Sequence, residues 1–277
     1  MRVMGPAMCD TIVKLLVGAC LAVAPAGGVM AQQRAEARTP ECKLEAAGAG
    51  TVRAVLDGRT LVLGDGREVR LAGIELPGAD QRNAAALAGK TALAAMLAGR
   101  EVALKRLGAD ADRHGRVRAY VFAAGEQRPA QQAMVALGHA RVAARIGDAG
   151  CASALLAAER AARTARLGLW ADPAYAMRQA DDPAGVLAER GRFTLIEGKV
   201  VSVRESGGTI YVNFGRRWSE DFTATVLKRG ERAFTAAGLD LKKLAGRTVR
   251  VRGFVEERGG PWIELTHPEQ IELAERD

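Results

Sequence analysis

The sequence has few of the residues that build metal clusters, redox centres and nucleotide-binding loops. It contains only three histidines and four cysteines among 277 residues. His139 and His267 lack the spacing of paired metal ligands, and no Cys-x-x-Cys pair, Ser/His/Asp set or Walker phosphate loop occurs. His114 stands alone in a turn, where it is either a solvated side chain or a proton shuttle. These absences argue against a zinc module, a dithiol oxidoreductase, a serine hydrolase and a P-loop nucleotidase.

The composition indicates a folded, basic protein. Hydrophobic residues make up 48% of the chain, and the formal net charge is +8. The length suffices for two small domains. A basic surface favours polyanions such as nucleic acid or an anionic membrane face. The alternative is an arginine-rich surface that is merely solvated, and composition alone does not decide between the two.

The N-terminus has the pattern of an export signal. Arg2 and Lys14 supply positive charge, and residues 12–30 are almost wholly apolar. Small residues end this run, and polar residues follow Ala31. We predict a signal peptide at 1–31, cleavage after Ala31, and a periplasmic or secreted protein without a membrane span. A membrane anchor and lipoprotein processing at Cys20 are the alternatives.

Export determines how the cysteines are interpreted. Cys9 and Cys20 leave with the predicted signal, whereas Cys42 and Cys151 remain. Two cysteines in an oxidising compartment predict a disulfide between Cys42 and Cys151. The alternative is a pair of unpaired, buried thiols.

The chain alternates short β-rich runs with helical segments, which predicts an α+β protein that is mainly β. Residues 51–76 form a strand, turn, strand, turn, strand pattern, with turns at Asp57-Gly58 and Asp65-Gly66. Helices are predicted at 82–98, 129–138 and 151–167. We predict a flexible leader at 32–47, a first domain at 48–170, a linker at 171–192 and a second domain at 193–277.

The second domain has the strand pattern of another small barrel. Five predicted strands with one helix between the third and fourth are typical of an oligonucleotide/oligosaccharide-binding (OB) fold. Its aromatic residues lie near arginines in the sequence: Tyr211, Phe214, Trp218 and Trp262, with Arg204, Arg216, Arg217 and Arg258. They either stack on a single strand of nucleic acid or pack in the core and rim of the barrel.

Residues 51–170 resemble the thermonuclease family, whose type is staphylococcal nuclease. The matching segments, in order, are DGRT at 57–60, VRLAGIELP at 69–77, DRHGR at 112–116, AMVALG at 133–138 and GLW at 168–170. The resemblance implies an OB-type barrel of five strands with three helices. It also implies calcium-dependent hydrolysis of phosphodiester bonds at the mouth of the barrel.

The family's two phosphate-binding arginines fall on Arg70 and Arg116, which are retained. Other family positions are substituted. Arg59 stands at the position of one metal-binding aspartate, Glu75 at that of the other, and Gly78 at that of the glutamate that activates water. The candidate site is therefore Arg70, Glu75 and Arg116, with Arg59 and Gly78 as altered positions.

These substitutions favour a site that binds without cleaving. Arg59, Arg70 and Arg116 can surround Glu75, with Asp57 nearby, as a salt-bridge network in place of a metal. The leading hypothesis is an exported protein that binds DNA, RNA or another phosphate-bearing polyanion. In one alternative the protein is an active nuclease, with Ca²⁺ held by Asp57, Glu75 and Asp80. In another it binds a protein partner of the cell envelope.

Overall fold

The fold is described from a computed structural model for residues 41–77, 83–108 and 115–274. The predicted signal peptide, its cleavage point after Ala31 and most of the predicted leader lie outside these ranges. So do Gly78, Asp80 and His114.

The first half of the chain contains the segments predicted for it, with small shifts of boundary. Its elements are β1 (Glu45–Asp57), β2 (Thr60–Leu63), β3 (Glu68–Leu71), β4 (Ile74–Glu75), α1 (Ala84–Leu97), β5 (Glu101–Arg106), β6 (Val117–Ala123), α2 (Ala130–Ala136), β7 (Arg141–Val142) and α3 (Ala149–Thr164). Strand β1 begins inside the stretch predicted as a flexible leader, and its residues 45–51 pair with β5.

Five of these strands close into a barrel in the order β1-β2-β3-β6-β5. The predicted turns join β1 to β2 and β2 to β3, and Gly66 takes a φ of +89° in the second turn, where a side chain would be strained. Strands β3 and β6 run parallel, whereas the other neighbours are antiparallel. Alternate residues of the strands, including Val52, Leu61 and Leu104, fill the interior. The predicted nuclease-type barrel is confirmed.

The predicted disulfide between Cys42 and Cys151 is present, with the two Cα atoms 4.4 Å apart. Cys42 precedes β1, and Cys151 lies in the first turn of α3. Asp148 caps this helix, because its Oδ1 accepts a hydrogen bond from the Cys151 backbone N–H at 2.9 Å. The bridge therefore fixes the start of α3 to the segment that enters the barrel.

The second half contains eleven helices and strands within the described residues. They are β8 (Arg178–Gln179), α4 (Pro183–Leu187), β9 (Phe193–Lys199), β10 (Ser202–Ser206), β11 (Thr209–Asn213), β12 (Thr223–Leu227), α5 (Glu231–Ala236), β13 (Thr248–Phe254), β14 (Glu256–Arg258), β15 (Gly260–Glu264) and β16 (Ile271–Leu273). Short 3-10 helices lie at Gly168–Ala171, Pro173–Tyr175, Lys228–Gly230, Leu241–Leu244 and Pro268–Gln270.

These strands form two sheets rather than the closed second barrel that the strand pattern suggested. One sheet has the order β10-β11-β12-β15-β14, and the other has the order β16-β13-β9-β8. A shared core that includes Ile196, Val212, Phe222 and Val251 lies between them. Strand β8 comes from the stretch 171–192 predicted as a linker, and it pairs with β9. That stretch is therefore part of the second sheet, although the limits of an independent domain stay a prediction.

Buried arginines join the two halves, and the described residues from 41 onward belong to one compact unit. Arg141 on β7 donates to the carbonyl oxygens of Phe193 at 2.8 Å and Tyr175 at 2.6 Å. Arg252 on β13 donates to the carbonyl of Val142 at 3.1 Å. The nuclease-type barrel is thus bonded to the second half through side chains and not only through the chain.

None of the helices in the described ranges is long and apolar enough to span a membrane.

Candidate functional site

The turn between β1 and β2 positions Arg59. The Asp57 Oδ1 atom accepts a hydrogen bond from the Arg59 backbone N–H at 2.8 Å, which stabilises the tight turn. The Arg59 carbonyl accepts from the Leu71 N–H at 2.8 Å, so the backbone of Arg59 is also tied to the end of β3. The guanidinium therefore projects from a fixed point near the barrel strands.

Arg59 forms an ion pair with Glu75. Its Nη1 donates to Glu75 Oε2, and the two side chains are only 19% and 23% exposed. Glu75 lies on β4 opposite Arg141 of β7. A half-buried ion pair is screened by water less than a surface pair. The ion pair between Arg59 and Glu75, which the predicted salt-bridge network requires, is present. Asp57 contacts Arg59 through the backbone N–H of Arg59 rather than through its guanidinium.

The described residues do not fit a calcium ion here. Calcium takes six to eight oxygen ligands, whereas Asp57 and Glu75 supply the nearby carboxylates and both already bond to Arg59. A divalent ion about 4 Å from the Arg59 guanidinium would be repelled by roughly 8 kcal/mol at an effective dielectric of 20. Over the described ranges, three metal-ligating side chains converge only at Cys42, Asp148 and Cys151, where the disulfide and the helix cap use them.

Arg70 lies on β3, and Arg116 immediately precedes the neighbouring strand β6. Arg70 of β3 is the register partner of Arg118 on β6, and Arg116 precedes Arg118 by two residues. The register therefore places Arg70 and Arg118 on one face of the sheet, and Arg116 lies at the end of β6 that adjoins this face. Arg70 and Arg116 are half-buried, and each is engaged by other groups.

A basic pocket of about 370 Å³ adjoins this face. Its charged lining residues are Lys43, Glu45, Arg106, Arg118 and Arg145. Within the ranges that the structure describes, none of the four cations has an ion-pair partner. The pocket therefore carries an excess of positive charge for an anionic ligand to neutralise.

The wall of the same pocket holds buried polar atoms that bond to no described residue. These are the Tyr120 hydroxyl and the Arg106 Nε, neither of which has a hydrogen-bond partner within the part of the chain that the structure describes. Burial raises the pKa of Tyr120, and the nearby charges of Asp148 and Glu269 raise it further. The hydroxyl therefore stays protonated and can donate to an anion. Unsatisfied buried polar groups are rare and call for an explanation, such as a ligand.

The pocket is not predictable from local sequence, although one part of it follows a simple pattern. Arg116, Arg118 and Tyr120 alternate along one face of a predicted strand. Lys43, Arg106 and Arg145 are distant in sequence, and only the folded barrel brings them to this face.

The family model described as staphylococcal nuclease homologue matches residues 68–172. The match covers Arg70, Glu75 and Arg116, and it begins after Arg59. No curated protein matched the chain. The match overlaps the closed barrel, since it includes strands β3, β5 and β6, and residues 68–172 form a domain that matches the staphylococcal nuclease homologue family.

Proposed function

We propose that this nuclease-like domain binds nucleic acid or another phosphate-bearing polyanion without hydrolysing it. The observation that carries the proposal is the ion pair between Arg59 and Glu75. In the family the corresponding positions help to hold the ion, and here a guanidinium occupies the place of a ligand and neutralises the other carboxylate. Loss of the metal site removes hydrolysis but leaves phosphate binding, because the arginines that bind phosphate do not need the metal.

The basic pocket supports the binding half of the proposal. Arg118 and Arg145 line it with Lys43 and Arg106, and the Tyr120 hydroxyl adds an unused donor. Arginine meets phosphate oxygens with two parallel hydrogen bonds. The pocket adjoins the face that carries Arg70, with Arg116 at its end, so one phosphate backbone can contact both groups.

The first test measures binding and hydrolysis on the same preparation. DNA and RNA are incubated with the mature chain in calcium and in chelator, and binding is measured as a function of salt. We expect no metal-dependent cleavage, and an affinity that falls steeply as salt rises. Arg70→Ala with Arg116→Ala should weaken binding by about tenfold or more and reduce the salt slope, by about one for each phosphate that the variant no longer neutralises.

The matched control is Lys243→Ala, which removes an exposed cation paired with Asp240 and lines neither the basic pocket nor any other pocket proposed to bind a ligand. It should leave the affinity unchanged. Metal-dependent cleavage that disappears in the Arg70/Arg116 variant would overturn the proposal in favour of an active nuclease. If neither binding nor cleavage is found, but an envelope protein co-purifies, the partner-binding alternative is favoured.

We further propose that the chain is exported. The disulfide between Cys42 and Cys151 supports this proposal, because such bonds persist in oxidising compartments. The intact mass of the protein recovered from its native host should correspond to a chain that begins at Gln32. A full-length chain in the cytoplasm would contradict export, and a lipid-modified chain that begins at Cys20 would favour the lipoprotein alternative.

A further inference from the structure

The outer face of the five-stranded sheet in the second half differs from its core face. Alternate residues of its strands, including Ile210, Val212 and Ile263, point into the shared core. The intervening residues form the opposite face. Arg204 of β10 is the register partner of Tyr211 on β11. With Trp262 they line a groove of about 790 Å³, which we call the outer groove.

Aromatic rings form one wall of the outer groove. Tyr211 and Trp262 meet edge to face with ring centroids 6.0 Å apart. The Arg258 guanidinium lies over the Trp262 ring at 5.1 Å. Trp218 also lines the groove and is 75% exposed, more than the other exposed large hydrophobic residues of the described chain. An exposed tryptophan beside a groove marks a contact surface rather than a core.

The loop that carries Trp218 is held in place. The Asp221 carboxylate accepts a hydrogen bond from the Arg217 N–H at 2.7 Å, and the Arg217 carbonyl accepts from the Asp221 N–H at 2.8 Å. Gly259, at the β14–β15 turn, has no side chain, and an added Cβ would lie 3.7 Å from the Trp218 ring. The backbone of the loop is therefore held, and the Trp218 ring lies beside this turn.

The charges of the outer groove suit an anion. Its lining contains Arg204, Arg216 and Arg258 and no carboxylate. Arg258 pairs with Glu256 at 2.9 Å and with Glu264 at 3.8 Å. Its charge is therefore already neutralised, and its role in the groove is to pack on the Trp262 ring. Arg204 and Arg216 are exposed and have no ion-pair partner among the described residues. They are the two cations available to a ligand.

We propose that the outer groove binds single-stranded nucleic acid, with bases stacked on Trp218 and Trp262 and phosphates paired with Arg204 and Arg216. Flat aromatic faces beside unpaired arginines match a ligand that has both exposed bases and a charged backbone. A duplex keeps its bases stacked inside, and a plain polyanion has no flat face. The proposal refines the proposed nucleic-acid function by adding a second site that selects single strands, and it rests on that function.

The test uses the full mature chain and a fluorescein-labelled oligothymidylate of about 12 nucleotides, a length comparable with the site sizes of single-strand-binding proteins. A duplex of equal length is the comparison. Fluorescence anisotropy gives the affinity, and intrinsic tryptophan fluorescence reports stacking. Trp218→Ala should weaken oligothymidylate binding about tenfold and remove part of the quenching, while affecting the duplex little. Trp218→Phe should restore part of the affinity.

Phe254→Ala is the matched control, because Phe254 is an exposed ring on the other sheet, 54% exposed and packed against Phe193. It should bind oligothymidylate as the wild type does. Arg204→Ala with Arg216→Ala should weaken single-strand binding and flatten its salt dependence. Circular dichroism should show that the Trp218 variants keep the wild-type fold, since the ring is exposed.

The barrel and groove variants separate the two proposals. If Trp218→Ala and the Arg204/Arg216 variant bind oligothymidylate as tightly as the wild type, while the Arg70/Arg116 variant does not, the groove proposal is wrong and the barrel proposal stands. The reverse pattern supports the groove and contradicts binding at the barrel. The groove proposal is also wrong if the chain binds duplex and single strand with equal affinity and Trp218→Ala changes neither affinity.

Discussion

Replacing Arg252 by alanine is expected to lower the free energy of unfolding by about 3–5 kcal/mol, the range for breaking a buried ion pair. Arg252 is 1% exposed and donates to Glu159 Oε2 at 2.7 Å and to Glu272 Oε1. The substitution leaves these two carboxylates, which are 0% and 9% exposed, to share the one remaining buried cation, Arg163, at 3.0 and 3.7 Å, so that negative charge is in excess there. An uncompensated buried charge is among the largest single defects that a substitution can cause.

The same substitution is expected to change how stability depends on pH. Burial raises the pKa of Glu272, but the charges of Arg252 and Arg163 outweigh burial and hold its pKa below the usual range. A carboxyl group with a lowered folded-state pKa stabilises the fold above its unfolded pKa, near 4.3, and this contribution is lost as the pH falls. The wild type should therefore lose stability below about pH 4.3, and this part of the slope should be smaller in Arg252→Ala.

Urea denaturation followed by circular dichroism between pH 3 and 8 measures both effects. The matched control is Arg160→Ala, because Arg160 reaches Glu272 at 3.4 Å from a position that is 51% exposed. Exposed ion pairs contribute about 0–1 kcal/mol, so the control should change little. Equal losses in the two variants would show that the buried network does not hold the two halves together.

This network is not predictable from the sequence, because the pattern around Arg252 is that of a half-exposed strand. Val249 and Val251 alternate with Arg250 and Arg252, which predicts arginines facing water. Val249 and Val251 do lie in the core of the second half. The nuclease-type half covers the other face of β13, where Val142 and Glu159 meet Arg252. A sequence pattern predicts that one face of a strand is polar, but it does not predict which distant segment packs on that face.

The stretch 171–192, predicted as a linker, contains regular structure that its local sequence does not predict. Pro173 and Pro183 in an alanine- and aspartate-rich stretch suggested irregular chain. In the structure each proline lies in the first turn of a short helix, after an aspartate that caps it. Proline is favoured there because its missing N–H has no helical partner in any case. Only the pairing of β8 with β9, which joins residues 18 positions apart, makes the stretch part of a sheet.

What the sequence predicted well depended on neighbouring residues or on charge chemistry. The strands and turns of 51–76 follow from local alternation and from Asp-Gly pairs. The contact of Arg59 with Glu75 was a hypothesis from chemistry, since a cation in place of a metal ligand needs a carboxylate near it. For Trp218, core packing and base stacking were both open, and its 75% exposure favours the second.

Replacing Cys42 and Cys151 by alanine is expected to destabilise the chain by about 4–5 kcal/mol, since the bridge closes a long loop. The two cysteines are 109 residues apart. In the chain-entropy model, a loop of about 100 residues gives roughly 4.7 kcal/mol of stabilisation, because the bridge restricts the unfolded chain. Urea denaturation gives the loss directly, and wild-type protein in reductant is the control for any effect of the new side chains. If the mature chain has free thiols before reduction, the bridge is not formed in the isolated protein.

The two large predictions also test whether α3 joins the halves of the molecule as one rigid element. Its first turn carries Cys151, and Glu159 lies eight residues later, which is about 12 Å along a helix. Sites this far apart without a shared partner usually have additive effects, within about 0.5 kcal/mol. Combining the cysteine variant with Arg252→Ala should therefore give the sum of the two losses, provided that the single variants leave enough stability to measure. A combined loss well below the sum would mean that release of the first turn already frees Glu159 from Arg252, so that α3 transmits the constraint of the disulfide to the junction with the second half.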